Sequence, residues 1–210
     1  MANEERISRN DYISFAGHIM DTPEFNHEVH AEKFYRTRIA VNRLSGTQDE
    51  LPLIFSERVI NPSELEGNVL LKGQLRSVNI HKEDGRSHLK LFAFVQEVEK
   101  TEKITGECVN QVHLLGHICR KPVYRMTPLG REVSDLLIAV NRPFGKSDYI
   151  PCIVWGRNAK TVADMAVGTA LDITDRMQSR HYAKKLEDGT KEDRVAYEVS
   201  VTSVDIHTLE

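Results

Sequence analysis

The sequence predicts an all-β chain built from two copies of one small barrel, and three observations carry that expectation. Short motifs recur at one spacing: Gly17-His18-Ile19 returns as Gly116-His117-Ile118, Pro23 as Pro122, Ile39-Ala40-Val41-Asn42-Arg43 as Ile138-Ala139-Val140-Asn141-Arg142, and Pro52 as Pro151, all 99 residues apart. Four separated matches at a constant offset mark a duplicated unit. Apolar and polar residues alternate with the period of two that a half-buried strand requires, and turn residues separate the runs. Finally, 210 residues divide into two halves that are each long enough to bury a core.

The second copy is the easier one to parse. Gln111 to Ile118 alternates at Val112 and Leu114 and reads as the first strand. Thr127 to Arg131 (TPLGR) supplies Pro and Gly for a turn, and Glu132 to Asn141 is a β run rich in Leu, Ile and Val. Pro143 to Asp148 (PFGKSD) reads as a loop, followed by the strand DYIPCIVWGR from Asp148 to Arg157. Asn158 suits the N-cap of a short helix to about Met165, closed by Gly168. Thr169 to Tyr182 is a further strand, the segment from Lys184 (KKLEDGTKED) is a hairpin with an Asp-Gly turn, and Val195 to Ile206 is the last strand.

The first copy repeats the plan with strands at Tyr12–Met20, Phe34–Arg43, Leu51–Phe55, Val69–Val78 and Leu89–Val98. A polar segment lies at Asn61 to Glu66 and a turn at Asp84-Gly85. Residues 1 to 9 are charged and expected to be loose. The polar stretch TEKITGE sets the boundary, so the expected domains are 1–106 and 107–210. Five strands with one short helix between the third and fourth is the order of the OB-fold, a five-stranded Greek-key barrel, here in tandem.

The strand from Asp148 to Arg157 has two unlike faces. Ile150, Cys152 and Val154 share a core parity, while Tyr149, Pro151, Ile153 and Trp155 share the other. Two rings spaced by roughly 20 Å, with Arg157 beyond, suit stacking against nucleic-acid bases. In the next long strand Arg176, Gln178, Arg180 and Tyr182 share one parity and Leu171, Ile173 and Met177 the other, so cations interleave with rings on the side opposite the core.

Composition narrows the function class. The net charge of −3 argues against duplex binding driven by phosphates alone. The deficit lies in residues 1 to 103, with 14 Lys/Arg against 17 Asp/Glu, whereas residues 104 to 210 balance at 14 against 14. Cys108, Cys119 and Cys152 form no CxxC pair, and they are expected to be reduced thiols. No apolar run approaches a membrane span and no leader precedes the first strand, so a cytoplasmic protein with no membrane role is expected. The sequence holds no GxxxxGK loop, GxSxG elbow or HExxH pair, and the His pairs (His27/His30, His81/His88, His113/His117) lack matching carboxylate or Cys spacing. Neither catalytic residues, nor a metal, nor a cofactor is expected.

The second copy resembles the bacterial single-stranded DNA-binding proteins (SSB) across Val109 to Ile206. The resemblance rests on NQVHLLGHICRKP, TPLGREV, LLIAVNR, DYIPCIVWGR, the Gly168 turn and RMQSRHY, in that order. It implies sequence-tolerant, non-catalytic binding of single-stranded DNA in replication, recombination or repair, with bases stacked on Phe144, Tyr149, Trp155 and Tyr182. Arg120, Arg125, Arg142, Arg157, Arg176, Arg180, Lys184 and Lys185 would meet phosphates. Stacking would also accept RNA. At the matching positions the first copy has Ser45, Glu50, Ser56 and about Ile80, so it is expected to assist or to serve assembly, with Arg36, Arg38, Arg43, Arg58, Arg76 or Lys90 as its cations. The resemblance further implies a homodimer with four barrels. Asp175 stands where the family usually has Gly, and the family's acidic C-terminal tail for replication partners is not expected here. A second reading is an OB-fold scaffold of the primosome type with weak nucleic-acid affinity.

Overall fold

The structure, a computed structural model, describes residues 11–81, 87–104, 110–185 and 189–206. The first copy comprises β1 (Asp11–Ile19), β2 (Glu24–Val29), β3 (Glu32–Asn42), β4 (Gln48–Ser56), β5 (Asn68–His81) and β6 (Ser87–Lys100). The second comprises β7 (Asn110–Ile118), β8 (Val123–Met126), β9 (Glu132–Arg142), β10 (Lys146–Trp155), helix α1 (Arg157–Ala163), β11 (Ala170–Lys185), β12 (Lys191–Val201) and β13 (Val204–Ile206). Each copy closes on itself as an OB-fold barrel. The first runs β1-β5-β6-β4-β3 and back to β1, the second β7-β11-β12-β10-β9 and back to β7. In each barrel one pairing is parallel, β4 with β6 and β10 with β12.

Alternation puts the core where the sequence places it. Ile13, Phe15, Ile39, Val41, Leu51, Leu53 and Phe55 fill the first barrel, and Val112, Leu114, Ile138, Val140, Ile150, Cys152 and Val154 the second. The recurring Gly has a steric cause. Each barrel closes with its first strand passing over the next long strand, and a Cβ on Gly116 would lie 2.5 Å from Ile138 Cγ2 and 2.7 Å from the Ala139 carbonyl. A Cβ on Gly17 would collide with the Ala40 carbonyl in the same way, so Gly-His-Ile and Ile-Ala-Val are the two sides of one crossing.

Several elements differ from expectation. The segments forming β2 and β8 are exposed along their whole length and pair only with β3 and β9, so they have no buried face to give an alternating pattern. The last strand divides into β12 and β13. Only the second barrel has an α-helix between its third and fourth core strands. In the first, a 3₁₀ turn at Pro62–Glu64 takes that place, with Asn61 accepting from the Ser63 N–H at 3.2 Å. The cap of α1 is Gly156 with φ 66°, not Asn158, whose amide donates to the Thr202 carbonyl at 2.7 Å. Asp175 points outward, where its carboxylate accepts from Thr202 N at 2.7 Å and Thr202 Oγ1 at 2.6 Å. The charged N-terminal residues, the Asp84-Gly85 turn, Asp188 of the last hairpin, Cys108 and the boundary between 106 and 107 lie outside the described residues.

The barrels join through an antiparallel pairing of β1 with β7, in which Ile13 faces Val112, its own counterpart in the repeat. Asp11 facing Leu114 and Phe15 facing Asn110 are images of each other under the same offset, so a local two-fold relation passes through that pair. Two buried aspartates clasp the seam. Asp49 accepts from Arg43 Nε at 2.7 Å in its own barrel and from Ser179 N at 2.7 Å across the seam. Its counterpart Asp148 lies 3.0 Å from Arg142 Nε and accepts from Ser77 N at 2.7 Å and Arg76 Nη1 at 3.1 Å across the seam. The Arg of the recurring Ile-Ala-Val-Asn-Arg motif is thus the partner of a recurring aspartate.

Candidate nucleic-acid interface

Of the non-core parity of β10, Tyr149, Pro151 and Trp155 reach the outside of the second barrel, whereas Ile153, expected on the same face, is buried at 3% exposure. Trp155 is half-buried there and donates its indole N–H to Ser200 Oγ on β12 at 3.1 Å, which orients the ring. The ring lines an open groove of about 800 Å³, whose other walls include Arg131, Arg176, Gln178 and, from the first barrel, Arg43. Arg176 reaches Gln178 at 3.1 Å, Ser200 at 3.5 Å and Asp49 at 3.5 Å, and burial lowers its pKa. Asp49 therefore serves two guanidiniums. Glu132 at the rim is taken up by Lys160 at 2.7 Å, with Tyr124 also donating to it, and both hold its carboxyl below its usual pKa.

The other expected stacking residues lie away from that groove. Phe144 sits at the tip of the β9–β10 turn, 98% exposed and at φ 64°. Tyr149 is 39% exposed, and its backbone N–H donates to Ser77 Oγ of the first barrel at 2.7 Å, so it stands at the seam. Tyr182 is 37% exposed on the β11–β12 hairpin, with the Arg180 guanidinium 5.6 Å above its ring. Along β11 the expected alternation breaks at Met177, Gln178 and Ser179, which are all buried, while Arg180 and Tyr182 are exposed beyond them.

The cations divide. Among the described residues Arg120, Arg131 and Arg157 are exposed and have no carboxylate within ion-pair distance, and Lys184 and Lys185 stand exposed on the hairpin. Arg125 is bound by Asp135 through two bonds of 2.7 and 3.0 Å, and Arg180 by Glu198 at 3.2 Å. Arg142 and Arg176 face buried aspartates at the seam. Sequence reasoning named Arg43 only as a cation of the first copy, and it missed Arg131 and the aspartates. The signal for the latter was available, since Asp49 and Asp148 obey the 99-residue offset.

The first barrel is dressed differently. Ser45, Glu50 and Ser56 occupy the ring positions, and the pairing of Ile13 with Gly73 against Val112 with Asp175 sets Ile80 opposite Tyr182. Its cations are largely consumed: Arg36 by Glu24 at 2.8 Å, Arg38 by Asp21 at 2.7 Å and Glu50 at 2.6 Å, and Arg58 by Glu32 at 3.3 Å.

Comparison with known proteins bears on this arrangement. The single-strand binding protein family model matches residues 109–207. A "single-stranded DNA-binding protein 3" from Clostridium acetobutylicum is 32% identical over 109 residues, which cover 49% of this chain and 72% of the relative. The chain belongs to the single-strand binding protein family. A member from Clostridium tetani is 37% identical over 90 residues, 40% of this chain and 61% of the relative, and one from Halalkalibacterium halodurans 37% over 81 residues, 48% of the relative. The chain thus spans about half to three-fifths of the length of these last two SSB relatives. In three dimensions the wild-type single-stranded DNA binding protein from Thermus aquaticus matches with a TM-score of 0.72 at 18% identity, covering 95% of this chain and 94% of that one. Both barrels fall within that likeness, which establishes the tandem OB-fold.

Proposed function

We propose that the chain binds single-stranded DNA with little regard to sequence and without catalysis, covering exposed strands in replication, recombination or repair. The observation that carries this reading is Trp155, an oriented and accessible indole in an open groove where Arg43, Arg131 and Arg176 outnumber the carboxylates. A base needs a flat face and its phosphate a nearby cation, and each stacked base contributes about 1–3 kcal/mol. The charge that matters is local, so an overall −3 is compatible with it. The names of the related SSB proteins support the same class of ligand.

Residues 1–106 and 107–210 act as two domains, with most of the stacking in the second. The bare ring positions and self-paired arginines of the first support that division. Tyr12, His113, Leu115 and His117, partly exposed on the outer face of β1 and β7, support self-association of that face into a homodimer with four barrels, in the cytoplasm.

The test uses the single tryptophan as its own reporter. Titration with oligo-dT should quench Trp155 emission, with a log–log salt slope of about −0.7 per phosphate neutralised. Parallel titration with oligo-U measures the preference for sugar. Unchanged emission with either strand would refute the reading and favour an assembly role.

A further inference from the structure

We infer that a ladder of buried polar side chains across β11 and β12 couples Trp155 to Tyr182, with Ser200, Gln178 and Glu198 as the positioning residues that hold both rings ready for a strand. Arg176 stands opposite Ser200 on the paired strands, and Gln178 opposite Glu198. From the Trp155 end, the indole N–H donates to Ser200 Oγ at 3.1 Å. Arg176 Nη2 reaches the same oxygen at 3.5 Å and donates to Gln178 Oε1 at 3.1 Å. Gln178 Nε2 donates to Glu198 Oε1 at 2.9 Å, and Arg180 closes on both oxygens of Glu198 at 3.2 and 3.3 Å. The Arg180 guanidinium in turn lies 5.6 Å above the Tyr182 ring. Each step between the two rings is thus a hydrogen bond or a cation–π contact.

Ser200, Gln178 and Glu198 are all buried, although they alternate with the core residues Met177, Val199 and Val201. A buried carboxylate, amide or hydroxyl costs stability unless its bonding groups are met, and here they meet one another. A satisfied network of this kind has one favoured arrangement. It therefore fixes the two rings relative to each other before a base arrives, which lowers the ordering cost of stacking.

The first barrel shows that the fold does not need the ladder. β6 pairs with β4 as β12 pairs with β10, so Phe94 opposite Ile54 takes the place of Ser200 opposite Ile153, and Phe92 that of Glu198. On β5, Arg76 faces Phe92 as Gln178 faces Glu198, and Val78 and Ile80 take the places of Arg180 and Tyr182. The same barrel thus closes with two phenylalanines where the second has a hydroxyl and a carboxylate. Ladder and stacking rings are replaced together in the first copy, where Ser56 stands for Trp155 and Ile80 for Tyr182. That joint replacement ties the polar side chains to the rings and not to barrel closure.

This inference rests on the single-strand reading above, and the experiment separates the two. In the full-length chain Gln178→Met cuts the ladder at its centre without changing the net charge. Affinity for a labelled oligo-dT should fall roughly threefold or more, and the emission anisotropy of Trp155 in the free protein should drop. In a Trp155→Ala, Tyr182→Ala background, titrated at low salt, the same substitution should leave the residual affinity unchanged, because no ring remains to be positioned. An equal loss with and without the rings would make Gln178 a merely structural residue and overturn the ladder. Wild-type affinity for Gln178→Met, while wild-type Trp155 is quenched, would overturn the ladder alone. Ser200 tests the other end, and keeps the question open to experiment if methionine at 178 disturbs folding. Ser200→Ala should weaken binding and loosen the indole, whereas Ser200→Thr, which keeps the hydroxyl, should retain both properties; identical behaviour of the two would also overturn the ladder. An unquenched wild-type Trp155 would overturn the single-strand reading and the ladder with it.

Discussion

Replacing Asp11 by Asn should stabilise the chain above neutral pH, and the internal repeat explains why. Asp11 is 1% exposed, and its Oδ1 accepts from Leu75 N at 2.9 Å while Oδ2 has no hydrogen-bond partner. At the equivalent position Asn110 accepts from Met177 N at 3.0 Å and donates to the Met177 carbonyl at 2.8 Å. Burial pushes the Asp11 carboxyl up to about 7, and Asp148 adds to the rise, while the Leu75 N–H and Arg76 oppose it. Arg76 lies 3.7 Å away but is engaged closer, at 3.1 Å, by Asp148, so it compensates little.

Below about pH 4 Asp11 is protonated both folded and unfolded. As pH rises from there to about 7, the unfolded chain sheds the proton and the folded chain keeps it, so stability falls through that interval and then levels off. With about 1.4 kcal/mol per unit over about three units, the loss reaches at most about 4 kcal/mol at pH 8. Asp11→Asn removes the proton and lets the side chain donate as Asn110 does. Urea unfolding from about pH 4 to pH 8 should give curves that nearly coincide at the acid end and separate by about 2–4 kcal/mol at the alkaline end, the variant being the more stable. Coincidence at pH 8, or a less stable variant, would refute the reasoning.

Two further outcomes follow from the geometry. Trp155→Ala should weaken oligo-dT binding by about 1–3 kcal/mol, measured by anisotropy of a labelled strand, with unfolding changed by less because the ring lies outside the buried core. Gly116→Ala should cost about 1–3 kcal/mol in chemical denaturation, since the added methyl meets backbone and a β-branched side chain at the closure of the barrel.

The fold was legible because its signals are local. Alternation along a strand assigns its faces, and duplicated residues at one offset assign the architecture, as with Ile150, Cys152 and Val154 against Leu51, Leu53 and Phe55. β2 and β8 were missed for the same reason, since strands exposed on both faces leave no periodic trace. The site was legible in part. The accessible rings follow from parity, but parity cannot say that Arg125 and Arg180 meet carboxylates across the sheet, or that Arg142 and Arg176 turn toward the seam.

By itself, then, the chain's order of residues determined two closed barrels, their inner faces and the rings on the outer face of the second. Each of these depends on neighbours a few positions away and on a backbone whose side chains must alternate. Only the tertiary structure decided that β1 pairs with β7, that Asp49 and Asp148 clasp opposite barrels, and that Arg43 and Leu44 stand beside Arg176. Those contacts join residues far apart along the chain, and barrel closure alone sets which of them meet.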